Sequence, residues 1–176
     1  PELTNAQRKM LSHYDNATLY NDSIVAQIVK RFQKQDAIVI YVPDHGEECY
    51  EENRGFICRN HSAEIDWPLA HYEFEIPFWI YCSPKYIRNH RDIYRQIRKA
   101  KDKRFMTDAL PHLLLYLAGI ETPTYKEEYN ILSPKYDEMR PRILKNSADY
   151  DKLRDAHLEK IKKEESKKEK KKERRN

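Results

Sequence analysis

Asp44 and His45 stand side by side in AIVIYVPDHGEE, residues 37–48, where an apolar run gives way to an acid, a histidine and a glycine. A carboxylate oxygen and a neutral imidazole nitrogen are both good ligands for zinc and for several other divalent ions. Neighbouring residues inside a strand point to opposite faces, but a chain leaving a strand is released from that alternation. Both side chains can then turn to one point. Gly46 permits a backbone turn that most side chains resist. Glu47 and Glu48 either accept hydrogen bonds that orient the histidine or form a charge pair at a helix start. Taken alone, D-H-G-E is a weak signal: an Asp-His pair at a strand end is more often a plain turn with a locally satisfied histidine than a metal site. Two ligands also do not fill a zinc shell of about four, so a metal site here needs further donors from elsewhere.

The elements that must position this pair can be read around it. AIVIYV is short, β-branched and without alternation, the pattern of a strand covered on both faces, as in a mostly parallel α/β sheet. Pro43 stops it. Ligands of open α/β sheets gather beyond the carboxyl ends of strands, which is where this reading puts Asp44 and His45. Upstream, residues Tyr14 to Phe32 predict a helix, with Tyr20, Ile24, Ile28 and Phe32 at every fourth position and Val25 and Val29 widening the stripe. Residues 47–68 carry no clear period and read as a long loop with one short turn. EIPFWIYC, Glu75 to Cys82, is a second buried-strand candidate. Residues 83–103 predict one basic helix, capped by Ser83 with Pro84 at its start. MTDALPHLLLYLAGI, residues 106–120, predicts a core helix capped by Thr107 or Asp108 and ended by Gly119. Residues 121–145 contain three prolines and read as irregular surface chain.

The chain has 176 residues, of which 35% are charged, and a net charge of +4. Much of the basic excess lies in the last dozen residues, so the basic balance does not by itself mark a nucleic-acid surface. Beyond Ile161 there are almost no apolar residues. A solvated helix with Glu–Lys pairs and a frayed tail both fit, the latter better for the last dozen residues. No apolar run approaches the roughly 18 residues that span a bilayer. Cys49 and Cys58 could close a small loop in an oxidising compartment and would be thiols in cytosol; Cys82 reads as a small buried hydrophobe. The chain begins without Met and reads as a piece of something longer.

Several blocks, in order, carry a family resemblance: YDNATLYNDSIVAQIVKRF, AIVIYVPDHGEE, NHS, HYEFEIPFWIYCSPKY, MTDALPHLLLYLAGI, NILSPKYDEMRPRIL and DYDKL. Together they resemble the C-terminal half of the catalytic domain of bacterial phosphoethanolamine transferases, in the sulfatase branch of the alkaline-phosphatase superfamily. The likeness makes residues 1–153 the C-terminal part of a sulfatase-like catalytic domain and residues 154–176 a charged Lys/Glu-rich tail. The implied fold class is α/β: a partial alkaline-phosphatase-like α/β/α sandwich with a mostly parallel sheet, plus a charged C-terminal tail that is helical or disordered. A sheet lacking its earlier strands would expose apolar edges and faces.

The resemblance also implies a chemistry. Asp44 and His45 become two ligands of a zinc ion, either alone or accompanied by a second divalent ion. His61, in RNHSAE, matches a family histidine that approaches the phosphoryl oxygens, although Asn60 stands where the family commonly has Gly. The family's nucleophilic Thr and a Glu ligand are expected upstream of the first helix, outside this chain. Thr4, Thr18 and Thr107 read instead as near-terminus, helix surface and helix cap. The implied donor is phosphatidylethanolamine, and the implied acceptor is lipid A or a core sugar of lipopolysaccharide, reached through a phospho-Thr intermediate. The implied location is the bacterial inner membrane, anchored through N-terminal spans, with the catalytic domain facing the periplasm and no nucleic-acid partner. By itself the piece is expected to be inactive and to bind zinc weakly. His71 reads as a surface histidine before a strand, and His112 as packing or capping.

Two other readings stand beside this one. A sulfatase or phosphodiesterase of the same superfamily would send water into the covalent intermediate. A non-catalytic basic module would use the tail on an anionic membrane or nucleic acid, although its interleaved Glu residues cut the local field.

Overall fold

The computed structural model describes residues 2–51, 54–58 and 64–173. They form two compact units, Pro1–Val42 with Pro77–Arg140 and Pro43–Ile76 with Pro141–Asn176.

The first unit opens with helix α1, Asn5–Phe32. It begins nine residues earlier than the apolar stripe suggests because Thr4 and Gln7 form a reciprocal cap. Gln7 N–H donates to Thr4 Oγ1 at 3.3 Å, and Thr4 N–H donates to Gln7 Oε1 at 2.8 Å. Thr4 is therefore a helix cap, not loose terminus. No residue of α1 is buried, and Leu19, Tyr20, Ile24, Ile28 and Phe32 are exposed.

Strand β1, Ile38–Tyr41, pairs with strand β4, Trp79–Cys82, with Ile38 opposite Cys82 and Tyr41 opposite Trp79. The pairing is antiparallel, and every sheet among the described residues is a two-stranded antiparallel ribbon. The parallel sheet expected from the unalternating runs is not what forms. An apolar run reports partial cover on both faces, and both strands are indeed half-buried throughout, but it does not encode the direction of the partner. Tyr41 stacks on Trp79 across the ribbon, with centroids 5.2 Å apart.

The basic stretch is two helices, α3 (Pro84–Asn89) and α4 (Arg91–Ala100), broken at His90. Ser83 caps α3 as expected, its Oγ accepting from Tyr86 N–H at 3.0 Å. At the break the Asp36 carboxylate accepts from Asn89 Nδ2 at 2.7 Å and faces His90 Nε2 at 3.2 Å. Helix α5, Leu110–Leu117, carries Pro111 in its first turn and ends at Gly119, whose φ is +66°. Neither Thr107 nor Asp108 caps it. A 3-10 turn over Thr107–Ala109 precedes it without a side-chain cap, and Asp108 instead takes a two-pronged bond from Arg140 at 2.6 and 2.7 Å.

Between the prolines, the chain does more than wrap the surface. Asn130, Ile131, Leu132 and Ser133 are buried. The Asn130 amide donates to Tyr125 Oη and accepts from Leu132 N–H, so the polar backbone of this segment can enter the core. Ile131 and Leu132 join Ala100 and Leu113 in the first unit's core, with Phe78 and Phe105 stacked beside them.

The second unit holds a ribbon of β2 (Glu48–Cys49) and β3 (Phe56–Cys58), helix α2 (Trp67–Phe74), a hairpin of β5 (Ile143–Leu144) and β6 (Ala148–Asp149), and helix α6 (Tyr150–Glu173). The stretch expected to be loop, residues 47–68, thus contains a short ribbon and runs into the first residues of α2. The tail is helical through Glu173, with Lys163 paired to Glu159 one turn away. The unit's core is Ile65, Leu69, Ala70, Leu144 and Tyr150. Trp67 stacks with His71 and His157, at 5.5 and 5.1 Å. No helix among the described residues is long and apolar enough to cross a membrane.

Candidate metal centre

Three residues after β1 ends at Tyr41, the Asp44 carboxylate stands in solvent, while the His45 side chain is 24% exposed. His45 Nδ1 lies 2.7 Å from the Gly46 carbonyl oxygen. A carbonyl only accepts, so Nδ1 carries the proton and Nε2 offers its lone pair. That lone pair sits 3.5 Å from Asp44 Oδ2. Two donors about 2.0–2.1 Å from a tetrahedral zinc stand about 3.3 Å apart. The pair therefore fits two corners of one zinc shell, and the carbonyl behind His45 is the kind of partner that fixes the tautomer of a ligating histidine.

The loop is held from behind by α2. Gly46 N–H donates to the Glu73 carbonyl oxygen at 2.8 Å. A Cβ on Gly46 would lie 2.2 Å from the Tyr72 carbonyl oxygen. Gly46 is thus required by close backbone approach. It is not among the positive-φ glycines, so the conformational freedom invoked for a sharp turn is not what selects it.

Glu48 neither orients His45 nor starts a helix. Its side chain is fully buried and pairs with Arg54, which also grips Asp66, the residue capping α2. Burial pushes the Glu48 carboxyl above its usual range, with Arg54 opposing it. Burial acts in the same sense on Asp66, but Arg54 and the Leu69 N–H outweigh it and hold that carboxyl low. The segment carrying Asp44 and His45 is therefore tied to both ends of α2, through Gly46 at its last turn and through Glu48–Arg54–Asp66 at its first.

The other candidates stand apart from this pair. His61 and Asn60 lie outside the described residues, as does the Cys58 side chain on which a Cys49–Cys58 bridge would depend. His71 is on α2, not on a chain entering a strand, and pairs with Glu75 at 3.0 Å. His112 Nδ1 accepts from Lys126 N–H at 3.1 Å and packs among Tyr125 and Tyr129, as expected of a packing residue. Thr18 is exposed on α1. Among the described residues, no group of three or more His, Cys, Asp or Glu is placed to hold a metal ion. Arg54, Asp66 and Glu73 were not singled out by sequence. The start of α2 was nonetheless written in D-W-P-L, an N-cap acid followed by proline in the first turn.

The Sulfatase family model matches residues 1–120. The phosphoethanolamine transferase EptC of Escherichia coli O18:K1:H7 (strain RS218 / NMEC) is 30% identical over 141 residues, covering 78% of this chain and 23% of that protein. The Kdo(2)-lipid A phosphoethanolamine 7''-transferase of Escherichia coli (strain K12) is 31% identical over 99 residues, covering 54% of this chain and 16% of that protein. The crystal structure of the C-terminal periplasmic domain of EcEptC from Escherichia coli, in complex with Zn, superposes with a TM-score of 0.69 at 29% identity, covering 87% of this chain and 43% of that one. The chain thus spans under a quarter of the length of these curated relatives.

Proposed function

The chain belongs to the sulfatase family and is related to the bacterial phosphoethanolamine transferases, and from that premise we propose that it supplies half of the metal site of a zinc-dependent phosphoethanolamine transferase. Asp44 Oδ2 and His45 Nε2 are the two ligands. Residues 1–153 are the family part and residues 154–176 an appended tail. The donor is phosphatidylethanolamine and the acceptor lipid A or a core sugar, on the periplasmic face of a bacterial inner membrane. The carrying observation is the 3.5 Å approach of Asp44 to His45 in a chain 30% identical to such a transferase.

When bound at this pair, zinc neutralises phosphoryl charge and lowers the pKa of a coordinated hydroxyl. The chain's own residues bind and orient. Asp44 stands in solvent, so an ion held by this pair would be within reach of an incoming phosphate ester. The Gly46 carbonyl keeps the His45 proton on Nδ1, so Nε2 stays available. The clamp of α2 on Gly46 and Glu48 fixes where both ligands stand.

The test is transfer of a labelled headgroup from phosphatidylethanolamine to lipid A in membranes from cells expressing the complete gene. Asp44→Ala and His45→Ala are each expected to reduce labelled lipid A by about a hundredfold or more. Release of the label as free phosphoethanolamine, with no labelled acceptor, would make the protein a hydrolase and contradict the reading.

A further inference from the structure

One short segment of the first unit is strongly positive. Residues 84–104 carry nine Lys or Arg against two Asp, a net +7. The rest of the chain, the basic tail included, carries 24 Lys or Arg against 27 acids, a net −3. The tail, residues 154–176, carries 11 Lys or Arg against six acids, a net +5, so residues 84–104 are the larger of two basic stretches.

The fold turns this excess into a surface. Ile97 and Ala100 of α4 are in or against the core, and Gln96 accepts from the Tyr116 hydroxyl. At 100° per residue, Arg91, Arg95, Arg98 and Lys99 then fall together on the opposite side, and all four are exposed. Lys85 and Arg88 on α3 are exposed as well. Arg95 pairs with Asp92 at 3.0 Å, but among the described residues Arg88, Arg91, Arg98 and Lys99 make no ion pair. Arg91–Arg95 and Arg95–Arg98 are like-charge neighbours one turn apart, an arrangement that costs helix stability. A stripe that repels itself is stabilised by an anionic partner that it lies against.

We propose that the Arg91–Arg95–Arg98 stripe of α4 is a docking face for an anionic lipid surface, binding headgroup phosphates. The apolar side of α4 is committed to the core, so the helix adsorbs without inserting, unlike an amphipathic helix that buries its apolar face in the bilayer. A membrane is favoured over nucleic acid because the proposed donor and acceptor are both lipids; in that respect the inference rests on the proposed function.

The test is co-sedimentation of the protein with phosphatidylglycerol vesicles and, separately, phosphatidylcholine vesicles. Binding is expected to phosphatidylglycerol only, and to fall steeply as salt is raised. Replacing all three arginines in R91Q/R95Q/R98Q is expected to weaken it about a hundredfold. The R91K/R95K/R98K protein, which keeps the charge, retains binding, as does a tail variant, K162Q/K163Q/K167Q/K168Q. Circular dichroism checks that each variant is folded. Undiminished binding by the folded glutamine variant, loss only in the tail variant, or binding to a DNA duplex but not to vesicles would overturn the proposal. Vesicle binding needs neither metal nor turnover, so Asp44→Ala leaves it unchanged. Failure here leaves the proposed transfer untouched, and failure of transfer leaves this test readable.

Discussion

Gly46 donates its backbone N–H to the Glu73 carbonyl oxygen at 2.8 Å, joining the loop that carries Asp44 and His45 to the last turn of α2. The Tyr72 carbonyl oxygen occupies the space a Gly46 side chain would need, 2.2 Å from an ideal Cβ. Backbone, not a flexible side chain, is in the way. Gly46→Ala is therefore expected to destabilise the protein by about 1–3 kcal/mol in denaturant unfolding. An unchanged midpoint would mean the loop is not clamped.

The Glu48–Arg54–Asp66 network makes a second prediction. Arg54→Met strands a fully buried carboxylate and removes the brace on the cap of α2. The expected cost is about 3 kcal/mol. Replacing both partners, in the Glu48→Leu/Arg54→Met protein, should recover much of that loss, because no fully buried charge is left unpaired; Asp66 is half-exposed and keeps its bond from Leu69 N–H. Equal destabilisation of the single and double variants would show that the pair carries no such coupling.

Tyr150 donates its hydroxyl to Glu75, and burial followed by that bond pushes its pKa up to about 12. The folded state thus holds the phenolic proton more tightly than the unfolded chain, whose value is about 10. The contribution is complete below the unfolded value and is lost as pH rises towards the folded one. Stability should fall between pH 10 and about 12. Tyr150→Phe should lose the portion of this fall that belongs to Tyr150, seen by following unfolding and tyrosinate absorbance together. A fall of the same size in the variant would assign it to other groups.

What could be read from the sequence follows from where the information lies. Local signals succeeded: Ser83–Pro84 starts α3, Pro111 sits in the first turn of α5, and Gly119 ends it with a positive φ. The Thr4–Gln7 cap was equally local and was overlooked because the apolar stripe begins later. The break at His90 was not read, and the contacts that Asn89 and His90 make there are with Asp36, more than fifty residues away. Strand direction was illegible because an apolar run is the same whether its partner runs parallel or antiparallel. The exposed apolar side of α1 is a helix face, not the sheet face or edge expected to be uncovered. At the candidate site, the two side chains lie 3.5 Å apart, an approach that their adjacency just beyond a strand allows. The reason for Gly46 was not, because only the fold brings the Tyr72 carbonyl against it.

The most direct test of the central claim is calorimetric titration of zinc into the protein and into its Asp44→Ala and His45→Ala variants, with the variants' folds checked by circular dichroism. The proposed pair supplies only two of about four ligands, which predicts weak binding to the unaltered protein, reduced at least about tenfold by either substitution. Tight stoichiometric zinc binding that neither substitution alters would place the metal elsewhere and contradict the account.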